Sequence, residues 1–213
     1  MKKLTAREKE QTGLVMESRK MDNRENILTC ALELFYQRGY DAVGIQEICQ
    51  AAGITKPTLY HYFGSKYGLL EVLLEREFSG FFGRLSENAQ FQNGIEESLT
   101  AFAGTLIDFA NENRKAYMLF MAFSYSAREN EVYTAVRPYI TQLYNLTVQL
   151  FEQASGQLGN MNGRQKQFAI GFLGLLNHYI LFLGYQDGGE DNITVSEEQK
   201  GSLIHQFMHG IWT

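Results

Sequence analysis

The chain of 213 residues contains only two prolines and two cysteines, and each scarcity excludes a class of protein. A proline inside a helix removes a hydrogen bond, so having only Pro57 and Pro138 favours a mostly helical chain. Cys30 and Cys49 are too few for a disulfide framework, and both fall within apolar helical patterns. We therefore predict an all-α protein without disulfides, in which the two thiols pack in the core rather than act as a redox switch.

The sequence also has none of the motifs that commonly carry catalysis or bind a cofactor. It shows no βαβ alternation, glycine-rich phosphate loop, nucleophile elbow or CxxC pair. His205 and His209 are four residues apart, a spacing that metal sites use, but no HExxH context accompanies them. A third ligand such as Glu197 or Glu198 is only imaginable, since no motif links it to the histidines. We expect no enzyme activity, no cofactor and no metal, and we interpret the histidines as a solvated or interface pair.

Long uncharged runs are scarce as well, and the exception is the segment 168–185, FAIGFLGLLNHYILFLGY. Its length approaches that of a membrane span. Against a span, Asn177 and His178 lie at its middle, where polar groups are costly in lipid, and no second span follows. We interpret the segment as a helix buried in a bundle. The first twenty residues are charged throughout and contain no apolar signal region, so we expect a cytoplasmic protein.

The net charge of −5 is distributed unevenly along the chain. Residues 1–66 contain ten Lys/Arg and eight Asp/Glu, whereas the remainder contains nine and sixteen. A mildly basic segment on an acidic body is typical of a protein that contacts DNA at one end only. We interpret residues 1–21 as a flexible N-terminal arm, and the alternative is that its lysines and arginines supplement a DNA contact electrostatically.

The segment from Ile45 to Lys66, IQEICQAAGITKPTLYHYFGSK, has the pattern of two short helices joined by a tight turn. Gly53 stands where the first helix must end, because glycine reaches left-handed backbone angles without a steric clash. Thr55 is a suitable N-cap for the second helix, and Pro57 lies in its first turn. This is the pattern of a helix-turn-helix motif, whose second helix is short enough to lie in a DNA major groove.

The second helix, residues 55–63, carries polar side chains on the face that would meet DNA. Thr55, Lys56 and Thr58 are expected to reach base edges or phosphates, while Leu59 and Phe63 face inward. The alternative is a compact helical hairpin with a solvated polar face. The predicted DNA-contacting residues are Gln46, Thr55, Lys56, Pro57, Thr58, Tyr60, His61 and Lys66.

The segment from Ile27 to Leu70 resembles the N-terminal domain of the TetR family of transcriptional regulators. The matching motifs are IL.CA..LF...GY, I.EIC.AAGI and TKPTLYHYFGSKYGLL. One departure is Gly44, where the family usually places Ser or Thr to cap the first helix of the motif. Glycine is tolerated at this position, and Glu47 can reach back to the cap from three residues on. The resemblance implies a DNA-reading head attached to a helical regulatory body, and a repressor rather than an activator.

The predicted organisation is a flexible arm (1–21), a three-helix helix-turn-helix DNA-binding domain (22–68) and a helical-bundle domain for ligand binding and dimerisation (69–213). Beyond the head, helices are expected at about 65–88, 95–111, 113–126, 129–155, 163–185 and 196–211. In the resembled family the last two helices pair with their counterparts in a second subunit. We therefore expect a homodimer through 163–185 and 196–211, which would address the two halves of a palindromic operator.

The middle helices are dense in aromatic and methionine residues. An apolar cavity with a few convergent polar groups is the usual form of a small-molecule site, and the resemblance implies such a cavity for an effector that loosens DNA binding. Core packing is the alternative for any single residue. The predicted ligand-binding residues are Tyr117, Phe120, Met121, Tyr125, Tyr144, Asn177, His178 and Phe182. The expected function is a repressor released by a small hydrophobic effector, with an activator of the same fold, or a ligand-binding protein that does not bind DNA, as alternatives.

Overall fold

The computed structural model describes residues 23–90, 94–158, 161–186 and 194–210, and the regular elements within these ranges are all helical. The predicted arm, 1–21, lies outside them. The helices are α1 (23–38), α2 (Ile45–Ala52), α3 (Lys56–Phe63), α4 (Lys66–Asn88), α5 (Ile95–Glu112), α6 (Arg114–Ser124), α7 (Glu131–Gln153), α8 (Gln165–Gln186) and α9 (Glu197–His209). The chain forms two compact units that divide between Leu73 and Leu74. The all-α prediction is confirmed.

The first unit is built on α1, whose apolar stripe is buried against the helix-turn-helix pair. Ile27, Leu28 and Phe35 are fully buried, as are Ile48 of α2 and Leu59 of α3. A polar contact supports this packing, because the side-chain amide of Asn26 donates to the carbonyl oxygen of Ala52 at 2.9 Å. That carbonyl belongs to the last turn of α2, where no further helical N–H is present to satisfy it. Asn26 thus fixes the end of α2 against α1.

The turn between α2 and α3 forms as the residue types predict. Gly53 has a φ of +66°, in the left-handed region, and the N–H of Ile54 donates to the carbonyl of Cys49 at 2.9 Å. Thr55 is in extended backbone, and its hydroxyl oxygen accepts from the N–H of Thr58 at 3.4 Å. These two residues stop one helix and start the next within three positions, which sets the direction in which α3 leaves the turn.

The start of α2 is stabilised by a side chain that reaches backwards along the sequence. The Gly44 N–H donates to a Glu47 carboxylate oxygen at 2.8 Å, and Arg38 donates to the other oxygen at 2.5 Å. The hydrogen bond from the Gly44 backbone, followed by that from Arg38, lowers the pKa of Glu47 below its usual value. The carboxylate thus satisfies the backbone N–H of the cap residue, while glycine supplies no hydroxyl to accept from the first turn of α2.

We expect Glu47→Gln to lower the thermal midpoint slightly at pH 7 and to lose this effect progressively as the pH falls below about 4. A carboxylate with a lowered pKa stabilises the fold above its unfolded-state pKa, and this contribution is lost as the pH falls through the lower folded-state pKa. The measurement is helix melting by circular dichroism across this pH range. Glu71→Gln, at an exposed position of α4, is the control. A difference that persists at low pH would contradict this account.

Gly68, in the first turn of α4, lies against the end of the preceding helix. A Cβ atom at this position would lie 2.1 Å from the carbonyl oxygen of Phe63. The Gly68 N–H donates to the hydroxyl of Ser65 at 2.8 Å, so Ser65 caps α4 as its residue type predicts. The absence of a side chain at Gly68 permits the close approach of α3 and α4.

The second unit has a core of aromatic rings. Phe78 of α4 is buried, and its ring centroid lies 5.6 Å from Phe109, 5.4 Å from Phe120 and 5.3 Å from Tyr139, so it contacts α5, α6 and α7. A second cluster surrounds Phe172 of α8, with ring contacts to α5, α7 and α9 (Phe102, Phe151 and Phe207). The tilted and edge-on ring geometries are those that aromatic pairs prefer.

Helix α9 is attached to α5 by polar contacts as well. The amine of Lys200, which is largely buried, donates to Asp108 of α5 and to Glu197. The Asn111 side chain accepts from the N–H of Val195 at 3.1 Å and donates to its carbonyl oxygen at 3.4 Å. A buried cation is tolerated when it is paired in this way. These contacts fix the position at which α9 begins.

Helix α8 is long and apolar enough to cross a membrane by length and composition, over Gln165–Leu183. Here it packs within the second unit through Ala169, Phe172, Leu176 and Ile180, which are all buried. Within the single chain only 22% of the apolar window is buried, so the expected helix buried in a bundle is covered on one face alone. These four residues recur at helical spacing and occupy one face, whereas other apolar residues of the helix, such as Ile170 and Phe182, are left exposed by the described part of the chain.

Candidate nucleic-acid interface and effector cleft

Helix α3 has one buried and one exposed face, as its sequence predicts. Leu59 and Phe63 are buried. Most of the predicted DNA-contacting side chains are exposed, and Thr58 and Lys66 are half-buried. The exposed members are Gln46, Thr55, Lys56, Pro57, Tyr60 and His61. Exposure is thus common to most of the predicted residues, as a DNA contact requires.

The hydroxyl groups on this surface are already engaged with each other. Those of Thr55 and Thr58 lie 2.9 Å apart, and the Thr55 oxygen also accepts the Thr58 N–H as the helix cap. Lys56, by contrast, is exposed and makes no hydrogen bond or ion pair with the residues that the structure describes. Its amine is therefore available to a phosphate or a guanine edge without breaking an internal contact.

Lys66 serves the fold of the first unit as well as carrying a charge. Its amine donates to the carbonyl oxygen of Tyr40 at 2.6 Å and lies 3.9 Å from the centroid of the Tyr40 ring. The Tyr40 ring in turn packs against Phe35 of α1, with centroids 5.0 Å apart. The sequence interpretation assigned Lys66 to phosphate alone. It missed this role because residues 40 and 66 are far apart in sequence and no local pattern pairs them.

We expect Lys66→Met to destabilise the first unit by about 1.5 kcal/mol, because it removes a charged hydrogen bond from a half-buried site. Methionine keeps most of the apolar stem, so the loss of stability measures the contribution of the amine. Lys56→Met is the matched control: it removes the same charge from an exposed position and should leave stability unchanged. The measurement is urea unfolding followed by circular dichroism. If the two substitutions lower the stability by the same amount, the amine of Lys66 does not stabilise the fold.

The same pair tests the predicted phosphate contact of Lys66. If its amine also contacts DNA, the slope of log K against log salt should fall by about one in Lys66→Met. An unchanged slope in a folded variant would limit Lys66 to its structural role.

A cleft of about 400 Å³ lies between α6, α7 and α8. Most of its surface is aliphatic or aromatic, and the polar groups come from two tyrosines, a serine, an asparagine and a histidine. The lining residues are Phe120, Met121, Ser124, Tyr125, Ile140, Leu143, Tyr144, Ile170, Leu173, Gly174, Asn177 and His178. Six of the eight predicted ligand-binding residues are among them. Volume and lining are those of a typical small-molecule site.

Tyr117, the seventh predicted residue, is buried beside the cleft and holds Asn177 in place. Its hydroxyl donates to the Asn177 side-chain oxygen at 2.9 Å. Burial raises the pKa of Tyr117 far above the usual range for a phenol, so this hydroxyl remains a donor. His178 is exposed, and its Nδ1 lies 3.0 Å from the carbonyl oxygen of Gly174. A carbonyl can only accept, so Nδ1 carries a proton and Nε2 is the ring atom left for other partners.

Phe182, the eighth predicted residue, belongs to a different site. It lines an open apolar groove of about 550 Å³ formed by α8 and α9, with Leu175, His178, Tyr179, Leu183 and Gln199. The helical period explains the separation: positions 170, 173, 174 and 177 form the stripe beside the cleft, and 175, 178, 179, 182 and 183 form the next stripe. Among the described lining residues, His178 alone borders both sites.

The spaced histidines of α9 do not gain a third metal ligand. The rings of His205 and His209 have centroids 4.5 Å apart, and both side chains are exposed. Across the described ranges, no group of three or more His, Cys, Asp and Glu side chains is arranged to hold a metal ion. The exposed pair agrees with the interpretation of a solvated or interface position.

Comparison with known proteins identifies relatives of the helix-turn-helix segment. The family "Bacterial regulatory proteins, tetR family" matches residues 27–73. The transcriptional activator FasR of Mycolicibacterium smegmatis is 26% identical over 154 residues, covering 72% of this chain and 68% of FasR. The transcriptional repressor NemR of Escherichia coli is 36% identical over 73 residues, covering 34% of this chain and 37% of NemR.

The similarity to known structures extends through the second unit. The structure of the regulator FadR from Bacillus subtilis in complex with stearoyl-CoA is similar with a TM-score of 0.72 at 16% identity, covering 88% of this chain and 99% of FadR. A likeness at this identity shows the fold alone. Residues 27–73 are therefore a helix-turn-helix segment of the tetR family of bacterial regulatory proteins, and the chain as a whole shares the fold of the FadR structure.

Proposed function

We propose that this protein is a homodimeric repressor that binds a palindromic operator and releases it when a small hydrophobic effector occupies the cleft between α6, α7 and α8. The observation that carries the proposal is that cleft, an apolar site with a few polar groups in the same chain as a DNA-reading head. Among the relatives, NemR is named a repressor, and FadR has been solved with stearoyl-CoA, a ligand with a long apolar chain.

The proposed dimer uses α8 and α9. Ile170 and Phe182 of α8 are 61% and 66% exposed, and the groove that α8 forms with α9 is open and apolar. Contiguous apolar surface of this kind commonly marks an interaction site. Two heads related by a two-fold axis would place the α3 helices in major grooves about 34–36 Å apart, or a multiple of this distance.

In this mechanism the α3 residues Lys56 and Thr58 contact base edges, while Tyr60, His61 and Lys66 contact phosphates. The effector binds more tightly to the form of the dimer whose head spacing does not match the operator, and it shifts the population toward that form. The shift can be only as large as the difference between its two affinities. The protein acts on the chromosome, so we place it in the bacterial cytoplasm.

The proposal is tested by incubating the purified full chain with sheared genomic DNA from its source, and sequencing what is retained. One or a few palindromes should be enriched, and the enrichment should disappear when Lys56 and Tyr60, both exposed, are replaced by alanine. Light scattering on the same sample measures the mass of a dimer. A folded protein that enriches no sequence at low salt would refute operator binding, and a monomer would refute the two-fold arrangement.

An activator of the same fold is the second candidate, because FasR carries that name and aligns with most of this chain. The two functions differ in where the operator lies. A site that overlaps the promoter elements favours repression, whereas a site upstream of them favours activation. Transcription of the neighbouring gene, measured with and without the protein, decides between the two: the signal falls for a repressor and rises for an activator.

A further inference from the structure

The cleft between α6, α7 and α8 combines an apolar lining with an absence of charge. Of the described residues that line it, none is Lys, Arg, Asp or Glu. A carboxylate or ammonium group that entered would lose its hydration without gaining an ionic partner. His178, at an exposed position, is the lining side chain that can become a cation. The lining therefore favours a ligand whose buried part is uncharged.

The orientation of Asn177 decides which polar group the cleft offers. Its side-chain oxygen accepts from Tyr117, whose buried hydroxyl stays protonated. The amide nitrogen makes no hydrogen bond with the described residues, yet it is not among the side-chain atoms that are fully buried without a partner. It is thus an accessible N–H₂ group with two donors and no acceptor. Tyr117 accordingly fixes Asn177 as a donor toward the cleft.

Two of the other polar groups, Ser124 and Tyr125, are less suited to this role. The Ser124 hydroxyl donates to the Phe120 carbonyl at 2.6 Å, so its proton is already used within α6. Tyr125 is 71% exposed and lies at the mouth of the cleft. Deeper contacts come from apolar side chains such as Phe120, Met121 and Leu143, which are buried. A ligand that fills the cleft therefore meets apolar surface, the amide donor of Asn177 and the hydroxyl of half-buried Tyr144.

We propose that the cleft binds an apolar chain or ring bearing an uncharged carbonyl group, and that the amide nitrogen of Asn177 donates to the carbonyl oxygen. This inference rests on the proposed function, in which the cleft is the effector site. Two classes of ligand contain such a carbonyl group. The carbonyl can belong to a free ester or ketone, or to an acyl thioester whose carrier remains outside the cleft.

The test measures binding of four eight-carbon probes to the full-length protein by calorimetry. These probes are methyl octanoate, octanoate, octanoyl-CoA and the alkyl methyl ether that lacks the carbonyl. Methyl octanoate should bind about tenfold or more tightly than octanoate and than the ether, because of these three only the ester presents an uncharged carbonyl oxygen to the amide. Tighter binding of octanoyl-CoA than of the ester identifies a thioester as the source, and the reverse order identifies a free ester or ketone.

The substitution Asn177→Asp tests the contribution of the amide N–H₂ group alone. The substitution keeps an oxygen that accepts from Tyr117 and replaces the N–H₂ group by a second oxygen, so affinity for methyl octanoate should fall about tenfold or more. Asn145→Asp, the same change at an exposed position of α7 outside the cleft, should alter affinity less than twofold. Wild-type affinity in Asn177→Asp, octanoate binding as tightly as the ester, or no binding of the ester would each overturn the inference.

Operator release is measured separately, so that the two proposals fail in different ways. If the ester binds through Asn177 but does not release DNA, the carbonyl site stands and the effector role fails. If a charged ligand releases DNA while the ester does not bind, the effector role stands and the carbonyl inference fails.

Discussion

Replacing Phe78 with alanine should lower the free energy of unfolding of the second unit by about 3–5 kcal/mol. Phe78 is buried, and its ring contacts aromatic side chains of α5, α6 and α7 together with Phe82 of its own helix. Alanine would forfeit the transfer energy of the ring and leave a cavity that four helices border. The measurement is urea unfolding of the full chain, monitored by circular dichroism.

Phe182→Ala is the matched control for this substitution. Its ring is of the same size, but it is 66% exposed and lines an open groove, so truncation should cost a small fraction of the Phe78 value in the isolated subunit. Because Phe120 both contacts Phe78 and lines the cleft, Phe78→Ala should also weaken effector binding. Similar losses of stability for the two variants, measured at a protein concentration that favours monomer, would mean that Phe78 does not organise the core.

Replacing both Lys56 and Thr58 with alanine should weaken binding to the cognate operator by about 1–3 kcal/mol for each interaction with a base that the substitution removes. The effect on unrelated DNA should be smaller, so the ratio of specific to non-specific affinity falls. The physical reason is that Lys56 and Thr58 lie in the first turn of α3, the part of a recognition helix that meets base edges. Binding is measured by fluorescence anisotropy at fixed salt on the operator and on a scrambled duplex.

Arg137→Ala, which removes an exposed cation from α7, outside the proposed dimer surface, is the control for a general change in charge. It should leave both affinities nearly unchanged. If the double variant keeps the ratio of operator to scrambled affinity while both constants fall together, Lys56 and Thr58 contact phosphates and do not read bases.

The features of the head that the sequence predicted correctly are those set by neighbouring residues. Gly53 ends α2 with a left-handed angle, Thr55 caps α3, and Glu47 reaches back to Gly44, each within four positions of its partner. Such contacts depend on backbone geometry that residue type and spacing determine. The buried stripes of α1 and α3 follow for the same reason, since a helical period fixes which residues share a face.

Contacts between distant segments could not be predicted in this way. Lys66 meets Tyr40, and Tyr117 meets Asn177 across sixty residues, because helices pack in an arrangement that no local pattern encodes. Phe182 was grouped with the cleft on composition, and only the packing of α9 against α8 shows that its stripe borders a different groove. Burial of α8 on one face likewise depends on which helices lie beside it.

The close approach at Gly68 bears on how far this sequence can vary. In a library that samples every amino acid, position 68 should accept glycine alone, because even alanine would place an atom 2.1 Å from the Phe63 carbonyl oxygen. Gly80 and Gly83 of the same helix have open space where a Cβ would lie. Alanine there should be tolerated and should favour the helix by about 1 kcal/mol each. One helix thus contains both an invariant glycine and two replaceable ones, and helix propensity alone would rank all three as equal.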